Sequence, residues 1–303
     1  MIKIPPYLKP SQTIGIVCPA GSMPLSKIEN CIHQLQAWGF QVNCGKTLGK
    51  RSSYFSGNDE ERCTDLQRML DDPDIHAILC ARGGYGVSRI VDNLNFARFK
   101  KYPKWLIGYS DITVLHAHVF RNFHIASLHA PMAGAFNDVN GAAYVATIHK
   151  ALTGEKMVYT YTSSIPNKTG IAEGALVGGN LSLLTHLLAT PSAMNLKNKI
   201  LFLEDIDEYI YHIDRMLVQL KRSNLLAQLA GLIIGSFSGM KDTKLPFGKS
   251  VEEIIKEHVA GYSYPVCFDF PVGHTHANVA LKHGVLHSLE VKKYAVKLVE
   301  IRG

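Results

Sequence analysis

Residues 105–113, WLIGYSDIT, decide the fold because an apolar strand there passes directly into a helix. The run 105–109 has the continuous apolar character of a buried strand, and the pattern predicts a helix over 111–120. Buried strands that alternate with helices are typical of a parallel sheet covered on both faces. The stretch therefore predicts an α/β fold, with Ser110 in the turn between strand and helix.

The same alternation extends toward the N-terminus. Strands are predicted over 13–18, 40–44 and 77–81, and apolar residues at helical spacing lie between them. We predict that residues 1–150 form one α/β domain built on a parallel sheet.

The composition changes after residue 150. The stretch 151–170 is rich in Thr, Tyr, Ser, Pro and Lys without clear periodicity, so we interpret it as a linker. Beyond it, apolar strands are predicted over 200–203 and 231–235, with an amphipathic helix between them. The remainder is strand-rich with Gly and Pro turns. We predict a second, mixed α/β domain over 171–303.

Composition and charge exclude several classes of protein. The 303 residues are 47% apolar and 19% charged, which is typical of a folded globular chain. The net charge is +7, but the basic residues form no cluster with aromatic side chains, so we expect no nucleic-acid partner. No membrane span and no secretory signal are predicted. Six cysteines without a C-x-x-C pair indicate reduced thiols, and we expect a cytoplasmic protein.

Ser110 is the first candidate catalytic residue. A serine in a strand-to-helix turn projects its hydroxyl above the sheet edge, where helix N–H groups favour an oxyanion. The segment is not a full G-x-S-x-G motif, because Ile112 stands in place of the last glycine. The motif alone therefore leaves two interpretations, a nucleophile or an N-cap with Asp111 in the first helical turn.

A glycine-rich loop, RGGYG at 82–86, follows the strand predicted over 77–81. Open parallel sheets bind ligands at the carboxyl ends of their strands, and glycine lets backbone N–H groups approach a substrate. The N–H groups of Gly84 and Asp111 are candidate oxyanion donors. A phosphate cradle is a weaker alternative because neither phosphate-binding glycine motif is complete, and a plain turn is the remaining interpretation.

A candidate acid and base follow in the second predicted domain. Glu204 and Asp205 end an apolar strand, and either carboxylate could orient an imidazole or belong to a solvated loop. His274 lies in a Gly-Pro loop, from which it could reach across a cleft and transfer protons near neutrality. His274 and His276, like His116 and His118, also allow a metal interpretation, but no zinc motif is present, so we predict no metal.

Seven motifs together resemble the LD-carboxypeptidases, the serine peptidases of murein recycling and microcin C immunity. They stand in that family's order: GIVCPAG at 15–21, ARGGYGVSRI at 81–90, LIGYSDIT at 106–113, GGNLS at 178–182, LFLED at 201–205, IDRML at 213–217 and PVGHTHAN at 271–278. The resemblance covers nearly the whole chain. It implies a flavodoxin-like N-terminal domain, a C-terminal domain with the triad acid and base, an active site in the cleft between them, and a homodimer.

The resemblance also implies roles for individual residues. Ser110 matches the nucleophile, Glu204 the triad acid and His274 the triad base. Gly84 and Asp111 match the backbone oxyanion donors, and no cofactor is implied.

The implied substrate is a murein tetrapeptide, from which the C-terminal D-alanine is released through an acyl-enzyme. Arg82 is our candidate for binding the substrate carboxylate because a guanidinium can donate two hydrogen bonds to it, and Gly83 and Tyr85 complete the candidate substrate site. Microcin-type members instead cleave aminoacyl nucleotides and stack aromatic residues of a long C-terminal loop on the base. The only tryptophans, Trp38 and Trp105, precede the linker, which favours the murein type.

Two alternatives stay open. Tyr209 and Tyr211 could stack on a nucleobase, as a microcin-type activity requires. A non-catalytic module that holds a peptide or phosphate in the same cleft is the alternative from another class. Loss of turnover in Ser110→Ala would separate an enzyme from such a module.

Overall fold

The structure is a computed structural model that describes residues 2–301. Strands and helices alternate through most of the chain. In chain order the elements are β1 (Thr13–Val17), α1 (Glu29–Ala37), β2 (Gln41–Cys44), α2 (Asp59–Asp71), β3 (Ile75–Cys80), α3 (Ala97–Lys101), β4 (Trp105–Gly108), α4 (Thr113–Phe123), β5 (Ser127–His129), α5 (Ala142–Leu152), β6 (Val158–Thr162), β7 (Gly170–Asn180), α6 (Leu181–His186), β8 (Lys199–Ile206), α7 (Ile210–Arg222), β9 (Gly231–Ser238), α8 (Val251–Val259), β10 (Val266–Cys267), β11 (Leu281–His283), β12 (Leu286–Val291) and β13 (Ala295–Glu300). None of the helices described is long and apolar enough to cross a membrane.

The first sheet has five parallel strands in the order β2-β1-β3-β4-β5, and β11 pairs antiparallel with β5 at one edge. This strand order is that of flavodoxin-like folds. Neighbouring residues of β3, Ile78 and Leu79, belong to two different hydrophobic clusters because strand side chains alternate between the faces. Both faces are therefore packed, and the predicted flavodoxin-like parallel sheet is confirmed.

The second sheet is mixed and has the order β10-β9-β8-β7-β12-β13-β6. Strands β7 to β10 are parallel, whereas β12, β13 and β6 run antiparallel to their neighbours. Helix α7 buries Ile213, Leu217 and Leu220, which share one face at helical spacing. The predicted mixed α/β character of the C-terminal half is confirmed.

Two short strands lie where the sequence pattern did not place them. Residues 158–162, inside the predicted linker, form β6 at the edge of the second sheet, with Tyr159 buried. Strand β11 lies within the predicted C-terminal domain but pairs with β5 of the first sheet. Strand β6 has five residues and β11 has three, which is too few for a clear periodic signal, and the strands with which they pair are distant in sequence.

Helix α4 joins the first sheet to the second. The Thr113 hydroxyl, at its first residue, accepts a hydrogen bond of 3.2 Å from the Asn180 backbone N–H at the end of β7. A Cβ on Gly179 would lie 2.5 Å from Thr113 Oγ1, so glycine is needed for this close approach. Farther along α4, His118 Nδ1 lies 3.0 Å from Ser192 Oγ. These contacts bring the turn before α4 beside the carboxyl end of the second sheet.

Candidate active site

Ser110 lies in the turn between β4 and α4, at the carboxyl edge of the first sheet. Strand β4 is fully buried, and the chain turns through a short 3-10 segment, 110–112, before α4 begins. Ser110 has a φ of 62°, a left-handed conformation that a residue with a side chain rarely adopts. Such strain persists when the surrounding structure enforces it and is common at functional sites.

Glu204 and His274 form a hydrogen-bonded pair in the second domain. Glu204 is completely buried near the end of β8, and its Oε2 lies 2.7 Å from His274 Nδ1. Burial raises the pKa of Glu204, although the bond to His274 acts in the opposite direction. Burial alone would lower the pKa of His274, but the bond and charge of Glu204 outweigh it and raise that pKa above 6.5. The pair therefore combines a buried carboxyl group with an imidazole whose basicity that carboxyl group increases.

The structure distinguishes between the two carboxylates that end β8. Asp205 accepts hydrogen bonds from the Ser182 backbone N–H at 2.9 Å and the Ser182 hydroxyl at 2.7 Å, and a third from Asn180 Nδ2 at 2.8 Å. Its carboxylate thus holds the first turn of α6. Glu204 is the one that reaches His274, because successive strand residues point to opposite faces.

Tyr109, the residue before Ser110, lies against His274. The Tyr109 ring lies 4.7 Å from the His274 ring, centroid to centroid. The Tyr109 and His274 side chains line a cavity of about 810 Å³, which Arg82 also lines, whereas Ser110 is not among its described lining residues. Among residues 2–301 no hydrogen bond joins Ser110 Oγ to the imidazole, a separation that is common without substrate.

The glycine loop after β3 lies against the serine turn. A Cβ on Gly83 would be 2.9 Å from Ser110 Cβ and 3.2 Å from the Asp111 backbone nitrogen. A Cβ on Gly84, which has a φ of 97°, would instead approach the Tyr54 hydroxyl. Gly83 is thus the loop residue in closest contact with Ser110, and the oxyanion role of Gly84 stays a prediction.

The predicted substrate residues are separated in the structure. Arg82 is exposed at the cavity, and its Nη1 donates a hydrogen bond of 2.7 Å to the Ser22 carbonyl. Tyr85 is not among the described residues that line the cavity, and its ring packs 6.0 Å from Phe55, outside it. Of these two residues, only Arg82 therefore belongs to the described lining of the cavity.

Sequence reasoning missed one wall of the cavity. Met132, Asn137 and Asp138, from the segment after β5, line it together with Lys27. The segment after β5 could have been predicted to lie at the site, because the carboxyl ends of parallel strands share one edge of a sheet and β5 ends there.

Other histidines that suggested a metal have structural partners. His116 Nδ1 lies 2.8 Å from Ser127 Oγ, and its Nε2 lies 2.8 Å from the Gly108 carbonyl. Within the described part of the chain, no group of three or more His, Cys, Asp or Glu side chains is arranged to hold a metal ion.

A strained serine turn on a flavodoxin-like sheet and a buried glutamate–histidine pair thus lie on either side of Tyr109 in sequence and space. Residues 14–130 match the LD-carboxypeptidase N-terminal domain, and residues 173–289 match the LD-carboxypeptidase C-terminal domain. The chain belongs to this LD-carboxypeptidase family of serine peptidases. The resemblance seen in the sequence is confirmed, and a non-catalytic binding module is no longer an alternative.

Individual relatives cover most of the chain. It is 36% identical to a probable murein peptide carboxypeptidase of Bacillus subtilis, over 92% of this chain and 89% of the relative. It is 25% identical to the microcin C7 self-immunity protein of Escherichia coli, over 88% of this chain and 86% of the relative. The crystal structure of a muramoyltetrapeptide carboxypeptidase from Oxalobacter formigenes superposes with a TM-score of 0.87 at 30% identity, covering 96% of this chain and 99% of that one.

Proposed function

We propose that this protein releases the C-terminal D-alanine from murein tetrapeptides as a serine-type LD-carboxypeptidase, with Ser110, His274 and Glu204 as its triad. The observation that carries the proposal is the 2.7 Å Glu204–His274 pair beside the cavity that Tyr109 and Arg82 also line. Similarity to proteins named for murein peptides supports the substrate.

In the proposed mechanism, His274 Nδ1 donates to Glu204, which leaves Nε2 free to accept a proton. Nε2 takes the proton of the Ser110 hydroxyl as Oγ attacks the carbonyl before D-alanine. The backbone N–H groups of Asp111 and Gly84 stabilise the oxyanion. His274 then gives its proton to the leaving amine, and water, activated by the same imidazole, hydrolyses the acyl-enzyme.

We assign the substrate's terminal carboxylate to Arg82. The guanidinium is exposed to the cavity, and among residues 2–301 it has no acidic partner within 4 Å. Its bond to the Ser22 carbonyl uses one of its five N–H donors, so donors remain for a carboxylate.

The test is mass-spectrometric detection of D-alanine release from a murein tetrapeptide. We expect release by the wild-type protein, with and without chelator, and by the surface variant Ser263→Ala. Ser110→Ala should lose turnover by roughly 10³-fold or more, as in characterised triads. Release by folded Ser110→Ala at the wild-type rate would overturn the nucleophile assignment.

A microcin-type activity is the second candidate. It is supported by the exposed Tyr209 and Tyr211 rings, whose centroids lie 5.7 Å apart. Neither ring belongs to the described lining of the cavity, so the murein substrate is favoured. Cleavage of an aminoacyl sulfamoyl nucleotide, with no release from the tetrapeptide, would reverse this order.

Assembly and location are also proposed from the family resemblance. We propose a homodimer in the cytoplasm. Light scattering at micromolar concentration should give about twice the 33.5 kDa chain mass.

A further inference from the structure

The loop that carries Gly83 and Gly84 is held by two buried charged residues outside the proposed triad. Asp111 is completely buried, and its Oδ2 accepts a 2.8 Å hydrogen bond from the Val87 backbone N–H. Arg62, on α2, is also completely buried, and its Nη1 donates to the Gly86 carbonyl at 3.0 Å. The Gly86 carbonyl and the Val87 N–H belong to one peptide group. Asp111 and Arg62 therefore hydrogen-bond to the N–H and to the carbonyl of the same peptide group, Gly86–Val87.

Arg62 also hydrogen-bonds to a second loop. The same Nη1 donates a 2.6 Å hydrogen bond to the Pro19 carbonyl, in the turn after β1. The guanidinium lies 4.8 Å from the centre of the Phe55 ring, which covers it. Two loops at the carboxyl edge of the first sheet are thus fixed by one side chain.

Glycine is required at position 86, beside the Arg62 guanidinium. Gly86 has a φ of 140°, and a Cβ there would lie 2.6 Å from Arg62 Nη1 and 3.1 Å from the Phe55 ring. A side chain would displace the guanidinium from both carbonyls. This accounts for the last glycine of RGGYG, which the proposed catalytic steps do not use.

The hydrogen bonds of Asp111 and Arg62 to the Gly86–Val87 peptide determine the position of the loop next to the proposed oxyanion site. Val87 ends the loop whose Gly83 packs against Ser110, and Asp111 follows Ser110 in sequence. Donors stabilise an oxyanion only at about 2.7–3.1 Å from it, so a small shift of this loop would remove the stabilisation. One residue, Asp111, thereby links the serine turn to the loop that supplies the second donor.

We propose that Asp111 and Arg62 are positioning residues that hold the Gly86–Val87 peptide and so set the oxyanion donors relative to Ser110. This inference rests on the proposed function of Ser110. The Asp111 side chain acts through the loop and does not touch substrate, which separates its role from that of its own backbone N–H.

The surroundings of Asp111 disfavour its ionised form. Burial raises the pKa of Asp111 to about 6, while the Val87 N–H and the Arg62 charge lower it. The Cys80 thiol of β3 also faces this carboxylate, and burial keeps that thiol protonated by raising its pKa. Because the pKa of Asp111 is above that of an unfolded aspartate, its ionised form is a net cost to stability at neutral pH. A buried carboxylate that costs stability is consistent with a role in activity.

Two single variants and their combination test the proposal. Asp111→Ala removes the acceptor, and Val87→Pro removes the N–H donor. Each should lower kcat for D-alanine release by about 10- to 100-fold with KM changed less than about threefold, because oxyanion stabilisation acts in the transition state. The double variant should lose no more than either single one, since both break one contact.

Two further variants separate positioning from general structural damage. Asp111→Asn keeps an oxygen that accepts from Val87 and should retain activity within about fivefold. Asp65→Ala removes another buried carboxylate, one that holds the Thr47 backbone N–H at 2.8 Å, and should cost stability with little change in kcat.

The outcomes are distinct. Equal kcat losses in Asp111→Ala and Asp65→Ala, or additive losses in the double variant, would overturn the positioning role. If Asp111→Ala does not fold, Val87→Pro and Asp111→Asn still decide the question by their kcat values. Turnover by Ser110→Ala would instead overturn the proposed function itself, whatever the Asp111 variants do.

Discussion

His274 and Glu204 are hydrogen-bonded across 2.7 Å within one domain, whereas Ser110 belongs to the other. The proposed acid and base are thus aligned before any substrate arrives. The position of the nucleophile depends on packing between the domains, at the contact of Thr113 with Asn180 and Gly179.

The Glu204–His274 bond predicts a shift in the pH profile. Glu204 raises the pKa of His274, so the acid limb of kcat/KM should have its midpoint above pH 6.5 in the wild type. The imidazole must be neutral to accept the serine proton, so activity falls as pH falls through that midpoint. Glu204→Gln should lower kcat by about 10³- to 10⁴-fold and move the residual acid limb to lower pH. A rate profile from pH 5 to 9 with an unmoved limb would contradict this.

Because Gly83 is in close contact with Ser110, adding a methyl group at position 83 should lower activity. In Gly83→Ala the new Cβ would lie 2.9 Å from Ser110 Cβ and 3.1 Å from its Oγ, so one of them must move. We expect kcat to fall by at least about tenfold, since misplacement of about 1 Å can cost 10²-fold. Gly261→Ala, where nothing lies within 4 Å, is the matched control and should keep full activity. Equal kcat values for the two variants would argue against a tight loop–serine contact.

We expect Arg82 to contribute to binding of the tetrapeptide substrate. Arg82→Gln should raise KM for the tetrapeptide by about 10-fold or more, because a charge-assisted contact to the carboxylate is lost. Arg98→Gln, on α3 away from the cavity, serves as the control. A substrate amidated at its terminal carboxylate should bind the wild type and Arg82→Gln alike. A persistent preference of the variant for the free carboxylate would assign that group to another residue.

A buried ion pair outside the proposed triad is expected to have a large effect on stability. Lys282 Nζ lies 2.9 Å from Glu300 Oε2, and both side chains are almost completely buried. Lys282→Met leaves Glu300 without its countercharge and should destabilise the protein by about 3–5 kcal/mol. Lys292→Met, which breaks an exposed pair with Glu290, should change the unfolding free energy by less than about 0.5 kcal/mol. Chemical denaturation of both variants at pH 7 measures the difference, and similar values would contradict the prediction.

Much of the site could be predicted because its residues follow strands. Ser110 and the RGGYG loop follow strands of one parallel sheet, which collects such ends at one edge, and Glu204 stands where an apolar strand of the second sheet ends. Periodicity could not decide between Glu204 and Asp205, because the choice depends on which face of β8 meets His274, 70 residues later. The short strands β6 and β11 were missed because their pairing is tertiary and local pattern does not encode it.

By itself the sequence determined the α/β class, the family and the candidate residues, since these depend on local hydrophobic patterns and on motifs in fixed order. Only the tertiary structure decided which groups meet. It paired Glu204 with His274, assigned Asp205 to α6, separated Tyr85 from the cavity and placed Arg62 and Asp111 on one peptide. The physical reason is that these contacts join residues from different strands and loops, where a few ångströms of packing decide whether a hydrogen bond forms.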